Sequence, residues 1–135
     1  MEKSSYLLLF LAVSIIIGYT YSLDTPEALE IPLRNAPYNF TTAYFNLMYF
    51  FTFLSVAIFC IPIGLLIDRL SLSFTIISLL ILSLLSQFLT GLMFQLQPTS
   101  YILVIMIMRA VFGAAGEGLF SAQCSIISIY GKKDY

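Results

Sequence analysis

Residues 107–120 read IMRAVFGAAGEGLF, and two of them, Arg109 and Glu117, are ionisable groups in a run otherwise apolar or small. A charge at the centre of a membrane-spanning helix costs about 2.5–3.5 kcal/mol on insertion scales, and it marks a substrate or ion pathway or a polar contact between helices. The two groups cannot neutralise each other within one helix. Eight residues separate them, about 12 Å of helix axis. Helical side chains also lean toward the N-terminus, which aims Arg109 away from Glu117. Each therefore needs a partner elsewhere: a second helix, water or a ligand.

The residues between them have a pattern of their own. Ala110, Ala114, Gly118 and Ala122 recur every four positions, the stripe of small side chains that lets membrane helices pack closely. Beside it runs a polar row of Arg109, Gly113, Glu117, Ser121 and Ser125. A second candidate lies at GLLIDRLS, residues 64–71. Gly64 would let two helix backbones approach. Asp68 and Arg69 then fall at the membrane boundary. There Asp68 either accepts hydrogen bonds from the positive N-terminal end of another helix or serves with Arg69 as a plain flanking charge. Tyr19, Tyr21, Tyr44 and Tyr49 either line a cavity, with Tyr19 and Tyr49 joining Glu117 as candidate substrate contacts, or anchor helix ends at the interface. Gln87 is expected to hydrogen-bond between helices.

These groups need elements to hold them, and the composition says which. Of 135 residues, 60% are hydrophobic and 10% charged, against roughly 45–50% and 25% in soluble domains. A chain this short cannot hide that much apolar surface from water, so a bilayer is its natural solvent. Four apolar segments, about 6–23, 43–67, 72–94 and 101–130, each exceed or approach the ~20 residues a crossing helix needs. Helix is the state that satisfies the backbone in lipid. The expectation is an all-α integral membrane protein with about four transmembrane helices. The first segment read instead as a secretory signal would need a small-x-small cleavage pattern, which YTYS does not supply.

Several functions are disfavoured at once. There is no histidine, which removes His-containing zinc sites and His-dependent nucleophilic triads. Cys60 and Cys124 lie in apolar runs and read as small buried hydrophobes rather than disulfide partners. No basic run suggests nucleic acid, nothing points to a metal or other cofactor, and no nucleophile, base and orienter can be assembled into an enzyme.

The connections set the orientation. Residues 24–42 form a polar loop with Pro26, Pro32 and Pro37, non-helical or partly helical. A short DRLS turn joins the second and third segments, and QLQPTS joins the third and fourth. With the N-terminus in the cytoplasm, that side receives Lys3, Arg69, Lys132 and Lys133 and the other only Arg34, as the positive-inside rule favours. The first loop then faces a lumen or the exterior, where Asn39-Phe40-Thr41 is a glycosylation sequon.

In their order and spacing these motifs resemble the major facilitator superfamily, whose loop between helices two and three reads G-x-L-x-D-R-x-G-R-[RK]. Gly64, Leu66, Asp68 and Arg69 match it, while Ser71 and Leu72 stand where Gly and Arg are usual. Arg109, Gly113, Ala115 and Gly116 match its fourth-helix motif. Residues 24–29 (DTPEAL), GLLIDR, and RAVFGAAGEGLFSAQ with YGKK are similar to the lysosomal dipeptide-transporter branch. The resemblance implies helices one to four of an N-terminal six-helix bundle, so that residues 1–135 form a partial domain. It implies solute transport, with Glu117 meeting a substrate amino group and Arg109, Gly113, Gly64, Asp68 and Arg69 serving structure and gating. Its implied partners are membrane lipids, a small solute such as a dipeptide, and the missing helices or other membrane subunits.

The branch's location is lysosomal. Only MEKSS precedes the first helix, without the branch's usual acidic dileucine signal, so another endomembrane or the plasma membrane stays open. The chain stops at YGKKDY, where a loop into a fifth helix would begin, and the branch's carboxylate-binding basic residue lies on that absent helix. The expectation is therefore the N-terminal piece of a longer transporter. The alternative is a non-transporting membrane subunit that docks through its small-residue stripe.

Overall fold

The computed structural model describes residues 3–35, 40–96 and 100–131 and, of residues 3–6, 8, 9, 130 and 131, the backbone alone. Asn39, Lys132 and Lys133 lie outside the described residues. The described chain is all helix: α1 (Lys3–Ala28), α2 (Glu30–Arg34), α3 (Thr42–Arg69), α4 (Leu72–Leu96) and α5 (Ile102–Gly131). Among the described residues, three helices are long and apolar enough to cross a membrane, within Thr42–Arg69, Leu72–Leu96 and Ile102–Ile129. Helix α1, 26 residues long, packs alongside them, and the three apolar helices suit a multi-pass membrane protein.

The axis of the bundle is α5. Of its spanning stretch, 56% is buried inside the protein, against 17% in α3 and in α4. It packs extensively on α3 and α4 and more narrowly on α1, while α3 and α4 scarcely touch although two residues join them. The sequence explains the difference. Bulky side chains such as Phe53, Phe74, Leu84 and Phe88 point outward from α3 and α4, as lipid-facing surfaces do. Facing α5, the same helices present Thr52, Ser55, Thr75, Ser86 and Thr90, all buried. These hydroxyls satisfy themselves on carbonyls of their own helix or its cap: Thr52 donates to Met48 O at 2.8 Å, Ser55 to Thr52 O at 2.7 Å and Thr90 to Ser86 O at 2.8 Å. A small hydroxyl residue folded back in this way occupies little room and leaves no polar atom wanting a partner.

Two helix boundaries follow from local chemistry. Leu70 turns to extended backbone after Arg69, with its N–H donating to Leu66 O at 3.0 Å, and Arg69 places a positive charge at the negative end of α3. The 24–42 connection is more ordered than its prolines suggest. Helix α1 runs on through Pro26 to Ala28, and α2 follows after one residue. Leu33 of α2 and Phe40 then fold onto the adjacent ends of α3 and α5, forming a buried cluster with Phe45, Met48 and Ile105. The rings of Phe40 and Phe45 meet edge to face at 4.8 Å, and Phe94 of α4 closes on the same ring at 5.7 Å.

Candidate functional site

Arg109 is fully buried, at 0% exposure, on the face of α5 that meets α1. Its Nη2 donates to the Leu23 carbonyl at 3.0 Å and its Nη1 to the Ser22 carbonyl at 3.4 Å. The Ser22 carbonyl accepts a second bond, from Gln87 Nε2 of α4 at 3.3 Å. One backbone oxygen thus joins α1, α4 and α5. The guanidinium also lies near the rings of Phe112 and Tyr49, 5.2 and 5.9 Å from their centroids, a range in which ring quadrupoles attract cations. Arg109 Nε and the Tyr49 hydroxyl are buried without a hydrogen bond among the described residues.

One turn further along α5, Tyr19 of α1 stacks on Phe112, with centroids 4.9 Å apart and planes 28° from parallel. The same ring covers Gly116, where any β-carbon would fall among its atoms. Tyr19 lies within the electrostatic reach of both Arg109 and Glu117.

Glu117 has a different setting. It is half-buried near the midpoint of α5 and makes no hydrogen bond or ion pair among the described residues. Arg109 and Glu117 do not pair, as the helix geometry predicted, and of the two only Arg109 finds a partner among the described residues. Chemically the site is a carboxylate left available near the midpoint of α5, two turns along from an arginine already occupied by backbone carbonyls.

The small residues divide in two. Gly113 faces α3 so closely that a β-carbon would collide with the Thr52 carbonyl and meet Ser55 Oγ at 2.5 Å. At Gly118 it would meet Leu79 Cδ1 at 2.6 Å and Ile63 Cγ2 at 2.8 Å. Ala122 is fully buried. Ala110 and Ala114 instead line an apolar groove of about 570 Å³ between α3 and α4. Within this chain, then, the stripe is covered at Gly118 and Ala122 and open at Ala110 and Ala114.

The expected close approach at Gly64 is not made here, since nothing lies within 4 Å of a β-carbon built there. The close crossings fall at Gly113, Gly116 and Gly118 instead, where α5 meets Thr52 and Ser55 of α3, Tyr19 of α1, and Leu79 of α4 with Ile63 of α3. Asp68 is exposed and lines a cavity of about 600 Å³ with Leu70, Leu72, Cys124, Ser125 and Ser128, at the end of the bundle that carries the α3–α4 turn. Arg69 is exposed at the same turn, and Cys60 and Cys124, expected to be buried, are exposed on α3 and α5. That cavity lies at the opposite end of the helices from the Leu33–Phe40 cluster, so the structure does not bring Asp68 together with Arg109. Gln87 bonds between helices as the sequence suggested. The Ser22 and Leu23 carbonyls were not singled out, because a backbone acceptor has no side-chain signature.

No family model, curated protein or solved structure matches the chain.

Proposed function

We propose that this chain forms the first four helices of a solute transporter built on the major facilitator plan, with α1 as the fourth crossing. The N-terminus is cytoplasmic, and the membrane is lysosomal or another endomembrane. The solute is a dipeptide or a similar small amino compound. One observation carries the reading. Glu117 stands uncommitted at mid-span, while Arg109, the other charge on α5, is engaged by carbonyls of α1. A carboxylate in a low-dielectric setting is costly unless something cationic meets it, and an ammonium group on a solute does so through charge-assisted hydrogen bonds. Tyr19, adjoining both charges, would border the solute, and Tyr49 would face it from α3.

The experiment is uptake of a labelled dipeptide by the complete protein in proteoliposomes, with and without Glu117→Gln. Loss of uptake with retained folding supports the assignment. Undiminished uptake removes Glu117 from the solute path.

A second reading is supported by the open part of the small-residue stripe. A membrane subunit docked through α5 would place a partner helix against Ala110 and Ala114, the two members this chain leaves on an open groove. Ala114→Leu would then release the partner, whereas Glu117→Gln would not.

A further inference from the structure

The bond from Arg109 to α1 raises a question of supply. Inside a continuous helix a carbonyl already accepts the N–H four residues on, and Ser22 lies within α1. The residue four positions after Ser22 is Pro26, buried and inside the helix. Proline has no N–H, and its ring pushes against the carbonyl at i−4. The Ser22 oxygen therefore lacks the i+4 donor that a regular helix would supply. Such freed groups persist in membrane helices where neighbouring elements satisfy them. Here two side chains do so, Arg109 from α5 and Gln87 from α4.

A contrast within the same chain sharpens the point. Pro62 lies inside α3 and frees the carbonyl of Ile58 in the same way. Ile58 and Pro62 face outward, and among the described residues no side chain is seen donating there. A proline alone does not recruit a cation. What distinguishes Pro26 is that its freed acceptor faces α4 and α5, with the Leu23 carbonyl next to it for the second guanidinium nitrogen.

We propose that Pro26 is a positioning residue for Arg109 and Gln87: by giving up its own N–H it lends the Ser22 carbonyl to the other two helices. The final turns of α1 carry the negative end of the helix dipole, and with Asp24 nearby on the same helix they receive the charge of Arg109 through backbone carbonyls. The inference concerns the α1 backbone and holds whether or not the chain transports a solute.

The test is a double-mutant cycle on the full chain in detergent, read by melting temperature. Gln87→Met is expected to lower it by about 3 °C in the natural sequence. In Pro26→Ala, the restored N–H takes the Ser22 carbonyl, and the cost of Gln87→Met shrinks to within about 1 °C. Thr25→Pro/Pro26→Ala keeps a proline but frees the Tyr21 carbonyl, on the outer face of α1, and gives the same loss of coupling. An equal cost of Gln87→Met in every background that folds, or none in the natural sequence, overturns the proposal. Hydrogen exchange supplies a second readout. The new amide at position 26 of Pro26→Ala exchanges slowly if it is bonded to Ser22, and fast exchange there refutes the mechanism.

Discussion

The ring of Tyr19, on α1, lies directly over the α-carbon of Gly116, on α5, and leaves no room for a β-carbon between them. Glycine at 116 is therefore a saddle for an aromatic ring, and Gly116→Ala must displace Tyr19 from its stack on Phe112. We expect a loss of about 1–3 kcal/mol, the usual cost of overpacking, measured by thermal unfolding in detergent. In a Tyr19→Ala background the same substitution should cost much less, because the obstructing ring is gone. Equal costs in both backgrounds would show that the contact does not hold α1.

Gly113→Ala and Gly64→Ala form a matched pair. The first places a methyl group against the Thr52 carbonyl and Ser55 Oγ, and the second places one where nothing lies within 4 Å. Melting should fall for Gly113→Ala, by about 1–3 kcal/mol. For Gly64→Ala it should hold or rise, since alanine is favoured over glycine in a helix by up to about 1 kcal/mol. A drop at Gly64 of the same size would mean that α3 packs against something further in the intact protein.

Arg109→Lys keeps the charge but replaces a planar fork with a single ammonium. It cannot reproduce the two bonds to the Ser22 and Leu23 carbonyls from Nη1 and Nη2. A loss of about 1.5–3 kcal/mol is expected, the range for a hydrogen bond to a charged group. Unchanged unfolding in Arg109→Lys would indicate that charge alone, and not the fork, ties α5 to α1.

Glu117→Gln separates folding from function. Because Glu117 has no partner among the described residues, its amide replacement should shift stability by no more than about 0.5 kcal/mol while abolishing uptake. A large change in melting temperature would reveal a structural contact for the carboxylate and weaken its assignment to a solute.

The stripe on α5 gives a further pair. Gly118→Leu intrudes on Leu79 and Ile63 and should unfold or loosen this chain whatever its function. Ala114→Leu projects into the groove and should be tolerated by the chain in isolation. If a partner helix docks there, co-purification will be lost in Ala114→Leu alone.

The helices were legible because lipid leaves the backbone little choice. Segments 43–67, 72–94 and 101–130 match α3, α4 and α5 within one to two residues at most ends. The first connection was harder. Pro26 reads as a break, yet one missing N–H does not end a helix whose freed carbonyl is satisfied from outside, and that satisfaction depends on residues more than 60 positions away. The failure of Arg109 and Glu117 to pair was legible from helix geometry alone. The destination of Arg109 was not, because its acceptors are carbonyls. Glycine was ambiguous for a related reason. Gly64 and Gly113 look alike in sequence, and only the positions of α3 and α4 around α5 decide that one faces open space and the other a neighbour's backbone.

The Leu33–Phe40 cluster has a consequence for biosynthesis. Phe40 is buried against Ile105 and Phe94, and Ile105 emerges from the ribosome 65 residues after it. At about 5–20 residues per second, that delay is roughly 3–13 s. Through this interval Leu33, Phe45 and Met48 are made but Phe94 and Ile105 are not, so the pocket for the aromatic ring stays incomplete. Phe40 is also the middle residue of the sequon at Asn39. Burial of that ring therefore waits on synthesis of the first turn of α5.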